Sequence, residues 1–336
     1  MATIFDVAKT AGVSKSTVSR VLNGESGVRE QTRIAVENAI RELKYSPSYL
    51  AQGIRTGKTK TIAMIVPEYT NIFYNEMFRG VEDIALQYGY MVFVCNTERS
   101  GRSELDYVQE ILKRNVDGII YNTYSNSDDM LKYLKELSGK LPVVFMNRLF
   151  EESDEVSYVY TDGYSSNRKA VHYLYEKGKR EIGYIRNTNS ISVIEDRFEG
   201  YLQGLKDCGL AYREEYVYRV TESAEPDYIK LGQEAAKYYE SINLPQAVIA
   251  AIDALAIGCV QQLQQDGIKI PEEVSVIGFD NIALSSLIHP ALTTISQPIR
   301  QIGQKAAEII IAKLEGKAIE DKIVFEGNLI IRETTE

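Results

Sequence analysis

The sequence predicts an α/β protein in two unequal parts: a helix-turn-helix head over residues 1–45, a linker over 46–60, and a body over 61–336 built on parallel sheets. Three observations lead there. Before residue 45 the apolar residues recur only at helical spacing. From Thr61 onward, short β-branched runs alternate with amphipathic helical stretches, the pattern of strands covered on both faces by helices. The charge divides at the same place. Residues 1–60 hold ten Lys and Arg against five Asp and Glu, a net +5, whereas the other 276 hold 28 against 42, a net −14. A basic head on an acidic body points to a polyanionic partner for the head alone.

The head reads as three helices. Ile4, Val7, Ala8 and Ala11 place one apolar stripe on the first, Gly12 stops it, and Ser14 is positioned to cap the second. On a helical wheel "VSKSTVSRVLNG" (13–24) separates into two faces. Val18, Val21 and Leu22 seek a core, with Thr17 at their margin. Lys15, Ser16, Ser19, Arg20 and Asn23 share an arc of about 140° that contains no acid. Val36, Ala39, Ile40 and Leu43 mark the third helix. In a helix-turn-helix the second helix enters the major groove, so Lys15, Ser16 and Arg20 are placed to reach base edges, Arg bonding guanine bidentately. Pro47 then ends the helical pattern, and "RTGKTK" (55–60) has the composition of a hinge.

"TIFDVAKTAGVSKSTVSRVLNG" (3–24) followed by "YSPSYLAQGIR" (45–55) resembles the lactose/galactose repressor (LacI/GalR) family of bacterial transcription regulators. The likeness extends along essentially the whole chain. It implies a homodimer that binds a palindromic operator in double-stranded DNA, with hinge segments that fold on DNA and wedge an apolar side chain into the minor groove. The wedge position here is Ile54, where the family usually has leucine, and Gln52 stands where it usually has arginine. Isoleucine keeps the apolar wedge, and the glutamine removes one cation. With the residues already named, the resemblance implies DNA contacts from Thr3, Thr17, Arg29, Tyr45, Ser48 and Ala51.

The body's strands are expected in "TIAMIVP", "YMVFVCN", "GIIYNTY", "PVVFMN", "EIGYIRN", "AVIAAID" and "VSVIGFD", too many for one small sheet. The resemblance sharpens this to a two-subdomain periplasmic-binding-protein type I core. Subdomain N is expected at about 61–160 and 293–322, and subdomain C at about 163–290 and 326–336. The chain would then cross near 160–163, 290–293 and 322–326, and an effector would lie in the cleft at the strands' C-terminal ends. Phe73 and Tyr74 follow the first strand, Asn147 and Arg148 follow "VVFM", and Arg197 lies in "IEDRFEGY". Asp253 and Asp280 end two further strands. Aromatic plates with Arg and Asp forks suit a sugar or sugar derivative. Each residue has a second reading: Phe73 as core, the aspartates as helix caps, and Arg197 as their ion-pair partner. Ile252 and Asn147 replace a polar residue and an aspartate of many sugar-sensing members, and Arg148 adds a cation. An effector that carries negative charge or several hydroxyls is therefore expected.

Other classes are disfavoured. The chain has only two histidines, His172 and His289, and lacks a Walker loop and an H-E-x-x-H motif, so no enzyme and no cofactor is expected. Its 23 tyrosines form no basic-aromatic stripe of the kind that binds single-stranded RNA. Cys95, Cys208 and Cys259 are odd in number and far apart, suggesting neither disulfides nor a metal site. With no leader-like start and no membrane-length apolar run, a cytoplasmic, nucleoid-associated protein is expected. The alternatives are a regulator governed by a phosphocarrier protein, as in one branch of the family, and a solute-binding protein without a DNA role.

Overall fold

The computed structural model describes residues 2–22, 24–45, 58–67, 72–97, 104–122, 128–147, 156–187, 192–220 and 227–336. The chain divides into a head, Met1–Thr59, and a body, Lys60–Glu336. In the head, α1 (Ile4–Thr10) is fixed by a capping box in which the Thr3 N–H donates to the Asp6 carboxylate at 2.8 Å. Gly12 adopts φ +66°, which suits glycine and lets the chain turn. Ser14 Oγ accepts the Thr17 N–H at 3.2 Å and caps α2 (Lys15–Leu22). With α3 (Glu30–Glu42), these helices enclose Val7, Ala8, Val18, Val21, Val36 and Ala39.

The body holds two six-stranded sheets. In the first, β1 (Thr61–Val66), β2 (Met91–Asn96), β3 (Gly118–Tyr121), β4 (Val143–Phe145), β5 (Ser157–Asp162) and β11 (Lys322–Glu326) run in the order β11-β5-β4-β3-β1-β2. All its pairings are parallel. Ile62, Met64 and Val66 face one core with α4 (Ile72–Gln87) and α11 (Ile299–Leu314). Ala63 and Ile65 face the other with α5 (Glu104–Leu112) and α6 (Asp128–Ser138), as alternation along a strand requires.

The second sheet repeats this order. It contains β6 (Ile182–Arg186), β7 (Val217–Arg219), β8 (Ala247–Ala250), β9 (Ser275–Asp280), β10 (Thr293–Ser296) and β12 (Asn328–Ile330), arranged β12-β10-β9-β8-β6-β7. Only β12 runs antiparallel to its neighbour. Around it lie α7 (Gly163–Glu176), α8 (Ser192–Asp207), α9 (Tyr228–Ser241) and α10 (Asp253–Gln265).

Three expectations need correction. The chain crosses between sheets after Asp162 as expected, but next at Gln297–Pro298 rather than at 290–293, because Thr293–Ser296 pairs with Ile277–Asp280 in the second sheet. The third crossing is Gly327, because Lys322–Glu326 pairs with Tyr158–Asp162 in the first sheet through its last residue. Continuous burial fails for β2, an edge strand whose Met91, Phe93 and Val94 stay exposed.

Helices α4 and α11 touch backbone to backbone. A Cβ on Gly80 would stand 2.1 Å from the Arg300 carbonyl oxygen, and one on Gly303 2.2 Å from that of Met77. Gly303→Ala is expected to push the helices apart and destabilise the body by about 1–3 kcal/mol, read as a lower urea midpoint at unchanged slope.

Candidate functional site

The head presents one polar face. Lys15, Ser16 and Arg20 are exposed on α2, Thr17 and Ser19 are half-buried beside them, and Arg29 is exposed before α3. The Ser16 and Thr17 hydroxyls lie 2.7 and 2.9 Å from Ser14 Oγ, so the capping serine organises both. Arg20 Nε stands 3.9 Å from a Glu25 carboxylate oxygen. Thr3 caps α1 through its own hydroxyl, and half-buried Tyr45 packs against the head's core. Asn23, Ser48, Ala51, Gln52 and Ile54 lie outside the described residues.

The body's cleft lies where strands of both sheets end, lined by residues of both and partly open to solvent. Both sheets follow a doubly wound order whose switch point leaves such a crevice at the carboxyl ends of the strands. Asn122, Asn187 and Gln297 each occupy the first position after a strand (β3, β6 and β10) and line the cleft. Phe73 and Tyr74, in an edge-to-face pair 5.2 Å apart, join Tyr160 and Tyr228 as its aromatic walls.

Arg197 and Asp280 come together there. The Arg197 guanidinium lies 3.7 Å from the Phe279 ring centroid, donates from Nη1 to the Ala251 carbonyl at 2.7 Å, and brings Nη2 to 3.6 Å from Asp280 Oδ1. That oxygen also accepts from Gln297 Nε2 at 2.7 Å. Gly163 makes room for Arg197, since a Cβ there would stand 2.7 Å from its Cγ. Two buried polar atoms of the lining, Arg197 Nε and Thr161 Oγ1, have no hydrogen-bond partner among the described residues. Burial pushes the Asp280 carboxyl up to about 7, against the opposing pull of Arg197, with Asp253 adding to the rise and Gln297 resisting it.

Two predicted effector residues do not line the cleft. Asp253 is fully buried and accepts from the Ile282 N–H at 2.9 Å, Ser285 Oγ at 2.5 Å and Thr294 Oγ1 at 2.6 Å. Its carboxylate pins α10 to the chain beyond β9, and its neighbour Ile252 faces the cleft instead. Asn147 is buried, and Met146 beside it forms the wall. Arg148 lies outside the described residues. Thr161, Asn122, Asn187, Gln297, Tyr160 and Tyr228 went unassigned in the sequence. For the three amides a signal existed, namely a polar residue directly after a predicted strand.

The Asp280 shift has a definite sign. A carboxyl whose folded-state pKa is raised contributes stability that is complete below the unfolded value of 3.8 and lost as pH rises through about 7. Thermal stability is expected to fall across that window, and Asp280→Asn to flatten the fall. A mutant melting profile as steep as the native one would show that the carboxyl is not raised.

Comparison with known proteins identifies the two parts. Residues 3–48 match the model of bacterial regulatory proteins of the lacI family, and residues 171–335 that of the periplasmic binding protein-like domain. The HTH-type transcriptional repressor PurR of Vibrio campbellii is 33% identical, with 100% of this chain and 99% of that protein aligned. Catabolite control protein A of Priestia megaterium is 33% identical over 96% of this chain and 95% of its own length. Among solved structures, the Lac repressor dimer bound to operator and the anti-inducer ONPF matches with a TM-score of 0.86 at 25% identity, covering 99% of each chain. The CelR–cellobiose complex matches with 0.73 at 28% identity, covering 99% of this chain and 100% of that one. These relatives regulate transcription and are not enzymes. Helix-turn-helix head, doubly wound body and full-length kinship agree: the chain belongs to the LacI family of bacterial transcription regulators.

Proposed function

We propose that this chain is a repressor that binds a palindromic operator as a homodimer, and that a hydroxyl-rich small molecule, a sugar or sugar derivative, alters its operator affinity. One observation carries the effector reading. Two of the cleft's polar groups sit at the segments that join the sheets: Thr161 next to the first crossing and Gln297 on the second. A ligand oxygen that accepts from Arg197 Nε and Thr161 Oγ1 would relieve two unsatisfied buried groups and tie α8 to the first crossing in one arrangement. The dimer reading is supported by the exposed apolar edge formed by Leu86, Tyr88, Met91, Phe93 and Val94, for which a second copy of this chain is the proposed cover. The head is proposed to act through Lys15, Ser16 and Arg20 on α2, with Arg29 on the backbone.

The pairing of Arg197 with Asp280 bears on effector charge. With the carboxylate ionised, the pair is balanced and favours neutral polyols; once Asp280 takes a proton, Arg197 is left as net positive charge. Calorimetry is expected to show a sugar acid binding more tightly at about pH 6 than at about pH 8, with a neutral sugar nearly indifferent. At roughly 100 times its Kd, the true effector stabilises the folded state by about 2.7 kcal/mol, and the same compound must shift operator affinity because the coupling is reciprocal. A compound that binds the cleft tightly and leaves operator affinity unchanged counts against the allosteric reading. If protein partners alone shift operator affinity, a phosphocarrier-governed regulator replaces it.

For the head, Arg20→Ala is expected to cost about 1–3 kcal/mol and to relax preference at one position in each half-site. Indifference of a selected operator to this change would remove α2 as the reading helix.

A further inference from the structure

Two exposed groups of the head are placed in ways that its own folding does not explain. Phe5 is 65% exposed on α1 and takes no part in the head's apolar core. Lys15 opens α2, whose first turn holds no acid, so its ammonium sits at the positive end of the helix dipole, where a cation is disfavoured. The two groups meet, with Lys15 Nζ 4.7 Å from the Phe5 ring centroid.

The choice of partner matters for an ammonium that must later bind DNA. An aromatic face attracts a cation through its quadrupole and takes up no N–H donor in a conventional hydrogen bond. A carboxylate would occupy those donors and bring negative charge toward the phosphates. Arg20, on the same helix, has that second kind of partner in Glu25. Ordering a free lysine side chain on binding is entropically costly, and the ring has already narrowed its range.

We infer that Phe5 is a positioning residue for operator reading: its ring holds the Lys15 ammonium ready to reach a guanine edge while leaving its donors free for the base. The inference rests on α2 being the reading helix. Because Phe5 lies outside the head's core, it can be changed without emptying that core.

The test uses the full chain. The unaltered protein first selects its own duplex from a randomised pool. Anisotropy then measures affinity for that duplex and for its single-base variants with Phe5→Leu, Phe5→Tyr, Lys15→Ala and the Phe5→Leu, Lys15→Ala double variant, alongside melting temperatures. Phe5→Leu is expected to weaken binding about two- to fivefold, the worth of an exposed cation–π contact. The loss should fall on the base pair that Lys15→Ala no longer senses, with salt dependence unchanged because no phosphate contact is removed. Phe5→Tyr should retain the preference, and the double variant should bind like Lys15→Ala alone. Additive losses, equal weakening on every duplex, or Phe5→Tyr behaving like Phe5→Leu would each overturn the inference. If only these occur while Arg20→Ala still relaxes one position, the reading helix stands and Phe5 alone is excluded. Selection of no duplex by the unaltered protein would remove both.

Discussion

A guanidinium buried where the two sheets meet must be matched on every side, because an unpaired charge there costs several kcal/mol. Arg197 meets most of this with the Ala251 carbonyl, the Asp280 carboxylate and the Phe279 ring, and its Nε is left for a ligand. Each demand constrains a different element. Ala251 lies directly after β8, Asp280 ends β9, and Gly163 opens α7 without a side chain so that the arginine stem can pass. The backbone carbonyl of Arg197 accepts from Asn167 Nδ2 at 2.8 Å, which ties α8 to α7. Asp280 itself adopts φ +119°, an uncommon conformation for a residue with a side chain. Backbone strain of that kind persists only where surrounding contacts hold it, and here it accompanies the acid facing the cleft.

The second buried acid does different work. Asp253 and Asp280 both belong to "strand then Asp" sequences, yet their surroundings differ. Burial raises the Asp253 carboxyl, and Ser285, Thr294 and the Ile282 N–H pull it back down. Three donors within hydrogen-bonding reach leave it little capacity for a ligand, so it acts as a fastening between α10, the chain after β9, and β10. Gly278 has no Cβ because one would stand 2.2 Å from Asp253 Oδ1. One acid thus secures the scaffold while the other faces the cleft. The cleft's remaining polarity comes from amides and the Thr161 hydroxyl, which hydrogen-bond hydroxyls without adding net charge.

Head and body follow different design rules. The head is a small unit around six buried aliphatic residues, with its capping groups, Thr3 and Ser14, at the helix starts. Ser14 also organises the two hydroxyls that follow it on α2. The body is fixed by close backbone approach, with Gly80 and Gly303 on α4 and α11 and Gly232 and Gly258 on α9 and α10 serving the same purpose.

Local pattern was enough to read the three head helices, the polar face of α2, the strand–helix alternation and the regulator family, because periodicity, capping and motif are properties of neighbouring residues. It also singled out Phe73, Tyr74, Arg197 and Asp280, which the structure places in the lining of the cleft. Tertiary structure decided what depends on partners far along the chain. It gave Thr293–Ser296 to the second sheet through pairing with β9, and left β2 an exposed edge because no further strand among the described residues pairs with it. It turned Asp253 inward, 32 and 41 residues from the hydroxyls of Ser285 and Thr294 that hold it. It also drew Asn122, Asn187 and Gln297 from three separate strands into one wall. The physical reason is the same in each case: sequence spacing determines which way a side chain points along its own element, but which groups satisfy a buried charge or donor is settled only when distant segments pack.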